Sequence, residues 1–183
     1  MKKYLAAEMY QTINGHWGIG QNDFASKSVA ELIETLCSCR KVGANYLLNI
    51  GPSAQGGIDP LQEATLQKLG EWVQLHDKAL RDAKPCGIKG THHDFGLKSE
   101  DGRLYFFIHD LRIMGHGNVT VSLGGAGPRS FSGVKGKISK ILWMDNSKEL
   151  KFAQCDNMLV FDATGYTYGT NLVVRVAEAM VEG

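Results

Sequence analysis

The hydrophobic period of the chain changes between residues 82 and 90, and this change limits the fold more than any other feature. Before it, apolar residues recur at the spacings of amphipathic helices and short buried strands. After it they recur at every second position, as half-buried β-strands require. One layer of secondary structure cannot serve both patterns. The sequence therefore divides into an α/β region, residues 1–82, and an all-β region, residues 83–183.

The first region is the more explicit. In "SVAELIETLCSCRKVG", Ser28 and Glu31 make a capping-box pattern, and Val29, Leu32, Ile33 and Leu36 form a helical stripe. Gly43 supplies the stop. "NYLLNIGP" follows, a short continuous apolar run that predicts a strand buried on both faces. In "DPLQEATLQKLGEWVQLHDKAL", Asp59 is placed as N-cap, Pro60 as first helical residue and Gln62 as the return partner of the cap. Leu66, Leu69, Val73 and Leu80 are its expected buried stripe. With the apolar segment from Tyr4 to Ile13 as an earlier strand, the order is strand, helix, strand, helix, as in β/α units on a parallel sheet. Two such units neither close a barrel nor cover both faces of a sheet, and so short a region buries little surface by itself. The pattern is that of the end of a larger α/β assembly.

"RDAKPCGIKG" reads as a linker. Beyond it, "RLYFFIH", "NVTVSL", "KISKILWM", "ELKFA", "NMLVF" and "NLVVRVA" are strand candidates separated by turn residues, which predicts an antiparallel β-sandwich. The glycine-rich "LGGAGPRSFSG" lacks the spacing of a dinucleotide loop and reads as a plain loop. Trp72 and Trp143 fall within a helix and a strand and are expected in the core.

Composition excludes several classes of function. A net charge of +1 gives no electrostatic footprint for nucleic acid or an anionic membrane, so neither is expected as a partner. No apolar run has the length of a membrane span. "MKKYLAAEMY" lacks the apolar core and cleavage pattern of a signal peptide, which for the chain as it stands points to the cytoplasm. The four cysteines, Cys37, Cys39, Cys86 and Cys155, lack zinc spacing and are expected to be reduced thiols. "HHD", from His92 to Asp94, is the one histidine cluster, and it reads as a polar loop in preference to a metal site. No metal and no cofactor are expected. "NVT" at Asn118 to Thr120 matches a glycosylation sequon.

Glu8 is harder to place. It sits inside an apolar segment whose nearest basic residue is Lys3, and a carboxylate among apolar neighbours needs a partner or a task. On the residues alone it is either a solvated strand residue or a catalytic acid. "AEMYQTINGHWG", "KSVAELI", "VGANYLLNIGPSAQGGIDP" and "LGEWV" resemble, in that order, the C-terminal half of α-L-fucosidases of glycoside hydrolase family 29. The resemblance covers residues 4–76.

That resemblance implies a fold, an activity and site residues. The fold is the last units of a (β/α)8-like barrel followed by an antiparallel β-sandwich. The activity is hydrolysis of terminal α-linked L-fucose with retention, which takes two carboxylates about 5–5.5 Å apart. Glu8 falls on the general acid/base position, a role that calls for an apolar setting of the kind Leu5, Ala6, Ala7 and Met9 would supply. Trp17 either stacks on an apolar sugar face or covers the barrel rim, and Asn49 either hydrogen-bonds substrate or braces the turn at Gly51 and Pro52. Asn45, opening the same strand, is expected at the opposite, stability end.

The family's nucleophilic aspartate lies upstream of the matched blocks. Of the nearest carboxylates, Asp59 reads as a helix cap and Asp23 as part of a polar loop. The chain is therefore expected to be inactive alone. Its expected partners are a fucosylated glycan as substrate and either a polypeptide carrying the missing barrel strands or a second copy of itself. The alternative is a non-catalytic carbohydrate-binding or interaction module derived from such an enzyme. The sequence departs from the family at Ala7, where a tryptophan is usual, at Gln55, where an aspartate is usual, and from His76 to Arg81.

Overall fold

The computed structural model describes residues 6–111, 126–166 and 168–182. The chain forms two compact units, Met1–Gln74 and Leu75–Gly183. The strand candidate "NVTVSL" and the sequon at Asn118 lie outside the described residues.

The first unit contains strand β1 (Glu8–Thr12), helix α1 (Val29–Val42), strand β2 (Asn45–Asn49) and helix α2 (Pro60–Leu75). β1 and β2 are parallel, in register from Glu8 opposite Asn45 to Thr12 opposite Asn49. At the start of α1 the Ser28 hydroxyl accepts the Glu31 N–H at 3.2 Å, and the Glu31 carboxylate accepts the Ser28 N–H at 2.7 Å. Gly43 ends the helix in the left-handed region, at φ 76°, where a side chain would be strained. Leu32, Ile33, Cys37 and Cys39 form its buried side, and burial pushes the Cys37 thiol up. α1 packs against β2.

Two expectations for this unit need correction. β2 is not buried on both faces: Asn45 and Leu47 are exposed and the other three residues are half-buried. Among the described residues its one strand partner is β1, and a strand in such a pair is sealed only where a helix lies over it. Gln62 does not return to the cap of α2. Asp59 Oδ1 alone accepts the N–H groups of Leu61 and Gln62, while the buried Gln62 side chain accepts the Gly51 N–H at 3.2 Å. The buried stripe of α2 is accordingly Gln62, Thr65, Leu69 and Trp72, with Leu66 and Val73 half-buried.

The second unit opens with α3 (Asp77–Arg81), which holds Leu80, and continues through β3 (Ala83–Gly90), β4 (Phe95–Ser99), β5 (Leu104–Ile108), β6 (Gly127–Ser132), β7 (Ile138–Trp143), β8 (Phe152–Cys155), β9 (Met158–Ala163) and β10 (Arg175–Val181). These strands form one antiparallel sheet in the order β7-β10-β5-β4-β3-β6-β9-β8. The sheet curls until its ends approach each other. Trp143 on β7 meets Phe161 on β9 edge to face, with ring centroids 6.5 Å apart, although these strands lie near opposite ends of the order. Gln154 on β8 bridges the remaining gap, accepting the Ile138 N–H and donating to the Gly136 carbonyl, both at 2.8 Å. Phe106, Phe131, Trp143 and Phe161 fill the interior. The all-β region is thus antiparallel, as expected, and its strands run as one continuous, nearly closed sheet.

The segment read as a linker is strand β3. Its pairing with β4 shifts between Pro85 and Lys89, and Gly87 sits there at φ 83°. A bulge tolerates both the proline and the glycine, and it bends the strand to serve two neighbours. The glycine-rich stretch read as a loop contains β6, in which Arg129 and Phe131 point inward. Arg129 Nη1 lies 2.9 Å from a carboxylate oxygen of Asp94, whose side chain is fully buried and whose other oxygen accepts the His109 N–H at 2.8 Å. The third residue of "HHD" is therefore a buried ion-pair anchor for β6. All four cysteines are free.

Candidate functional site

Side chains alternate along a strand, so the β1-β2 pair has two distinct faces. On one, the Tyr46 hydroxyl donates to Gln11 Oε1 at 2.7 Å. Burial and the neighbouring Cys39 of α1 push that hydroxyl up to about 12, which marks this as the helix-covered face. The other face carries Glu8, Tyr10 and Thr12 of β1 beside Asn45, Leu47 and Asn49 of β2. It is open: Tyr10 is 62% and Leu47 49% exposed.

The loop after β1 closes over one end of this face. Asn49 Nδ2 donates to the Trp17 carbonyl at 3.0 Å and Asn14 Nδ2 to the Gly18 carbonyl at 2.9 Å. The indole of Trp17, 61% exposed, lies over Tyr10 with ring centroids 5.5 Å apart. Asp23 holds the loop together by accepting the N–H groups of Gly15 and Ala25. The Ala25 bond is the main reason its carboxyl lies below the usual carboxylate range. Asp23 is thus a loop brace, as Asp59 is a helix cap.

Trp17 and Asn49 are brought together at the C-terminal end of the strand pair. Glu8 shares their face but opens β1, four residues away along the strand, or about 13 Å. It sits at the end where Asn45 was expected, and Asn45 Nδ2 donates to Glu8 Oε2 at 2.6 Å. The apolar setting expected around Glu8 is not formed, because Glu8, Ala6, Ala7 and Met9 are all exposed; Leu5 lies outside the described residues. The sequence reading missed Tyr10. Its signal was there in the two-residue step from Glu8, but the register that sets it beside Leu47 and beneath Trp17 could not be read from one strand.

What this arrangement offers a ligand is an aromatic pair on a braced rim, with hydrogen-bonding side chains along the same open face. The fold is similar to that of two solved proteins. An α-L-fucosidase from Paenibacillus thiaminolyticus superposes on 99% of this chain and 41% of its own, with a TM-score of 0.79 and 21% sequence identity. The fucosidase of Thermotoga maritima solved with fucose covers 94% of this chain and 39% of its own, at a TM-score of 0.70 and 19% identity. Residues 2–78 match the α-L-fucosidase family model, and the chain is related to the C-terminal portion of these glycoside hydrolase family 29 proteins. It is 38% identical over 76 residues to the mouse tissue α-L-fucosidase, a stretch that covers 40% of this chain and 17% of that protein. With the α-L-fucosidase of Branchiostoma floridae it shares 25% identity over 116 residues, covering 62% of this chain and 25% of that protein. The chain thus spans a quarter or less of these curated relatives.

Proposed function

We propose that the chain is part of an α-L-fucosidase-like glycoside hydrolase acting with retention on terminal α-linked L-fucose of glycans. Residues 1–82 are the last units of its (β/α)8-like barrel and residues 83–183 its β-sandwich domain. The observation that carries this reading is a coincidence of place. The family match at residues 2–78 falls on the α/β unit, and that unit holds the open face with Tyr10, Trp17, Asn49 and Glu8. Aromatic faces of this kind stack on the apolar side of a sugar ring. The C-terminal end of parallel strands is also where barrel enzymes keep their chemistry. Asn49 serves this rim by holding Trp17, and Glu8 has the general acid/base role by resemblance.

A partner that adds strands beside β1, or a second copy of the chain, completes the site, and the chain alone does not turn over substrate. One observation favours a second reading, that of a non-catalytic carbohydrate-binding or interaction module. Glu8 opens its strand, pairs with Asn45 and is exposed, without the apolar setting a general acid/base needs.

The experiment is an aryl α-L-fucoside assay of the chain and of Glu8→Gln, alongside NMR titration with methyl α-L-fucoside. The expected result is no turnover and a sugar-dependent change at Trp17. Turnover lost in Glu8→Gln would instead make this chain a complete catalyst. No turnover and no sugar response would remove the fucoside reading altogether.

A further inference from the structure

An indole 61% exposed to water would ordinarily sample many positions, yet the backbone carrying Trp17 is held from below. Gly51 lies directly under the loop. A Cβ added there would stand 2.5 Å from the Gly18 carbonyl carbon and 2.8 Å from the Ile19 nitrogen, both backbone atoms that cannot turn aside. Gly51 is not in the left-handed region, so the glycine is required by this close approach and not by its own backbone angles. Gly51 is in turn fixed by Gln62. The side chain of this residue is buried on α2 and accepts the Gly51 N–H at 3.2 Å. A buried glutamine on the inner face of a helix is costly unless its polar atoms are used.

We propose that Gln62, acting through Gly51, is a positioning residue for Trp17 and so sets the height and tilt of the aromatic rim. The proposal rests on the reading of Trp17 as a sugar-facing side chain. Gln62 does not touch the sugar. It fixes the floor on which the Gly18 and Ile19 backbone rests, while Asn49 ties down the Trp17 carbonyl from the side. A pre-set rim spares a ligand the entropy of ordering the loop.

The test uses the full chain labelled with 5-fluorotryptophan, whose three tryptophans give three fluorine lines. Trp17→Phe identifies the Trp17 line, and the Trp72 and Trp143 lines report that the chain is folded. Gln62→Met keeps the volume and removes the acceptor. It should raise the population of displaced loop by about tenfold, the equivalent of one lost hydrogen bond, broadening or splitting the Trp17 line alone. Gln62→Glu keeps an acceptor oxygen and should restore a single line at acid pH, where the buried carboxyl is uncharged. Gly51→Ala perturbs the contact from the other side, leaves Gln62 intact and should displace the same line. Titration with methyl α-L-fucoside should move the Trp17 line in the parent chain and move it less in Gln62→Met and Gly51→Ala.

An undisturbed Trp17 line in both Gln62→Met and Gly51→Ala would overturn the positioning role. So would equal disturbance of all three lines. If the line is displaced as expected but no sugar moves it in the parent chain, the positioning role stands and the sugar-facing reading falls.

Discussion

The two units of this chain have similar appetites for apolar residues and opposite ways of satisfying them. In the second unit the described strands curl until Gln154 bridges the gap between the ends, and Phe106, Phe131, Trp143 and Phe161 are sealed at 1% exposure or less. In the first, two parallel strands carry helix on one face, and Tyr10, Trp17 and Leu47 meet solvent on the other. The difference shows that the apolar pattern of a strand tells which side is sticky, while closure of the sheet decides whether that side becomes core or surface. An open apolar face bordered by Glu8, Asn45 and Asn49 leaves room for a ligand or a partner. A closed one is a scaffold.

The strongest way to break this comparison is to cut into the closed unit. Phe106 is fully buried and touches Phe131 and Phe161, with ring centroids 4.7 and 5.6 Å away. Phe106→Ala should lower stability by about 3–5 kcal/mol in urea unfolding, the cost of a lost aromatic plus the cavity it leaves. Hydrogen exchange should show the loss in β5, β6 and β9, the strands that carry these rings. A cost near 1 kcal/mol would mean that the sheet is not sealed as described.

Asp94→Ala comes next, in the same unit. It leaves Arg129 buried without its carboxylate and strands the His109 N–H, and breaking a buried pair in this way costs about 3–5 kcal/mol. Because Arg129 lies on β6, the exchange protection of β6 against β9 should fall first. If Asp94→Ala is as stable as the parent, the pair does not anchor that strand.

How much of this was legible in the sequence depends on how local the signal is. Helix α1 was readable from cap to stop because Ser28, Glu31 and Gly43 act within a few residues of one another. Strand β9 was readable from its alternation and β5 from its continuous apolar run, and both signals are also local. β3 was not, since Pro85 and Gly87 are linker residues everywhere except at a bulge, and the bulge exists only through the pairing with β4. β6 was hidden in the same way. Its Arg129 looks like a loop residue until Asp94, thirty-five residues earlier, is placed beside it. The site divides along the same line. Trp17 and Asn49 could be named through the family resemblance, but the bond between them and the place of Tyr10 depend on how β1, β2 and the loop after β1 come together.

A smaller effect sharpens the comparison from the open unit. Ser28→Ala removes the side-chain acceptor for the Glu31 N–H and should cost about 1 kcal/mol, as lost caps generally do. Thiol labelling of Cys37, fully buried on the inner side of α1, is the measurement. Its rate should rise by roughly fivefold, the equivalent of that energy. The exchange protection of β5 and β9 should not change. Parallel changes in both units would show that the two unfold as one body.

The smallest expected effect is the most telling. Leu47 lies in the middle of β2, 49% exposed beside Tyr10. Leucine at a strand centre reads as core, and in the closed unit its truncation would cost several kcal/mol. On the open face Leu47→Ser should change stability by about 0.5 kcal/mol or less, as surface substitutions do. The measurement should be repeated across a range of protein concentrations. A flat, small effect means that the face is surface in the isolated chain. A cost that grows with concentration means that a second copy covers Leu47, since stability gained from association rises with the concentration of the partner. In that case the apolar strip from Tyr10 to Leu47 is an interface between copies before it is a sugar site, and the two units differ only in where their cover comes from.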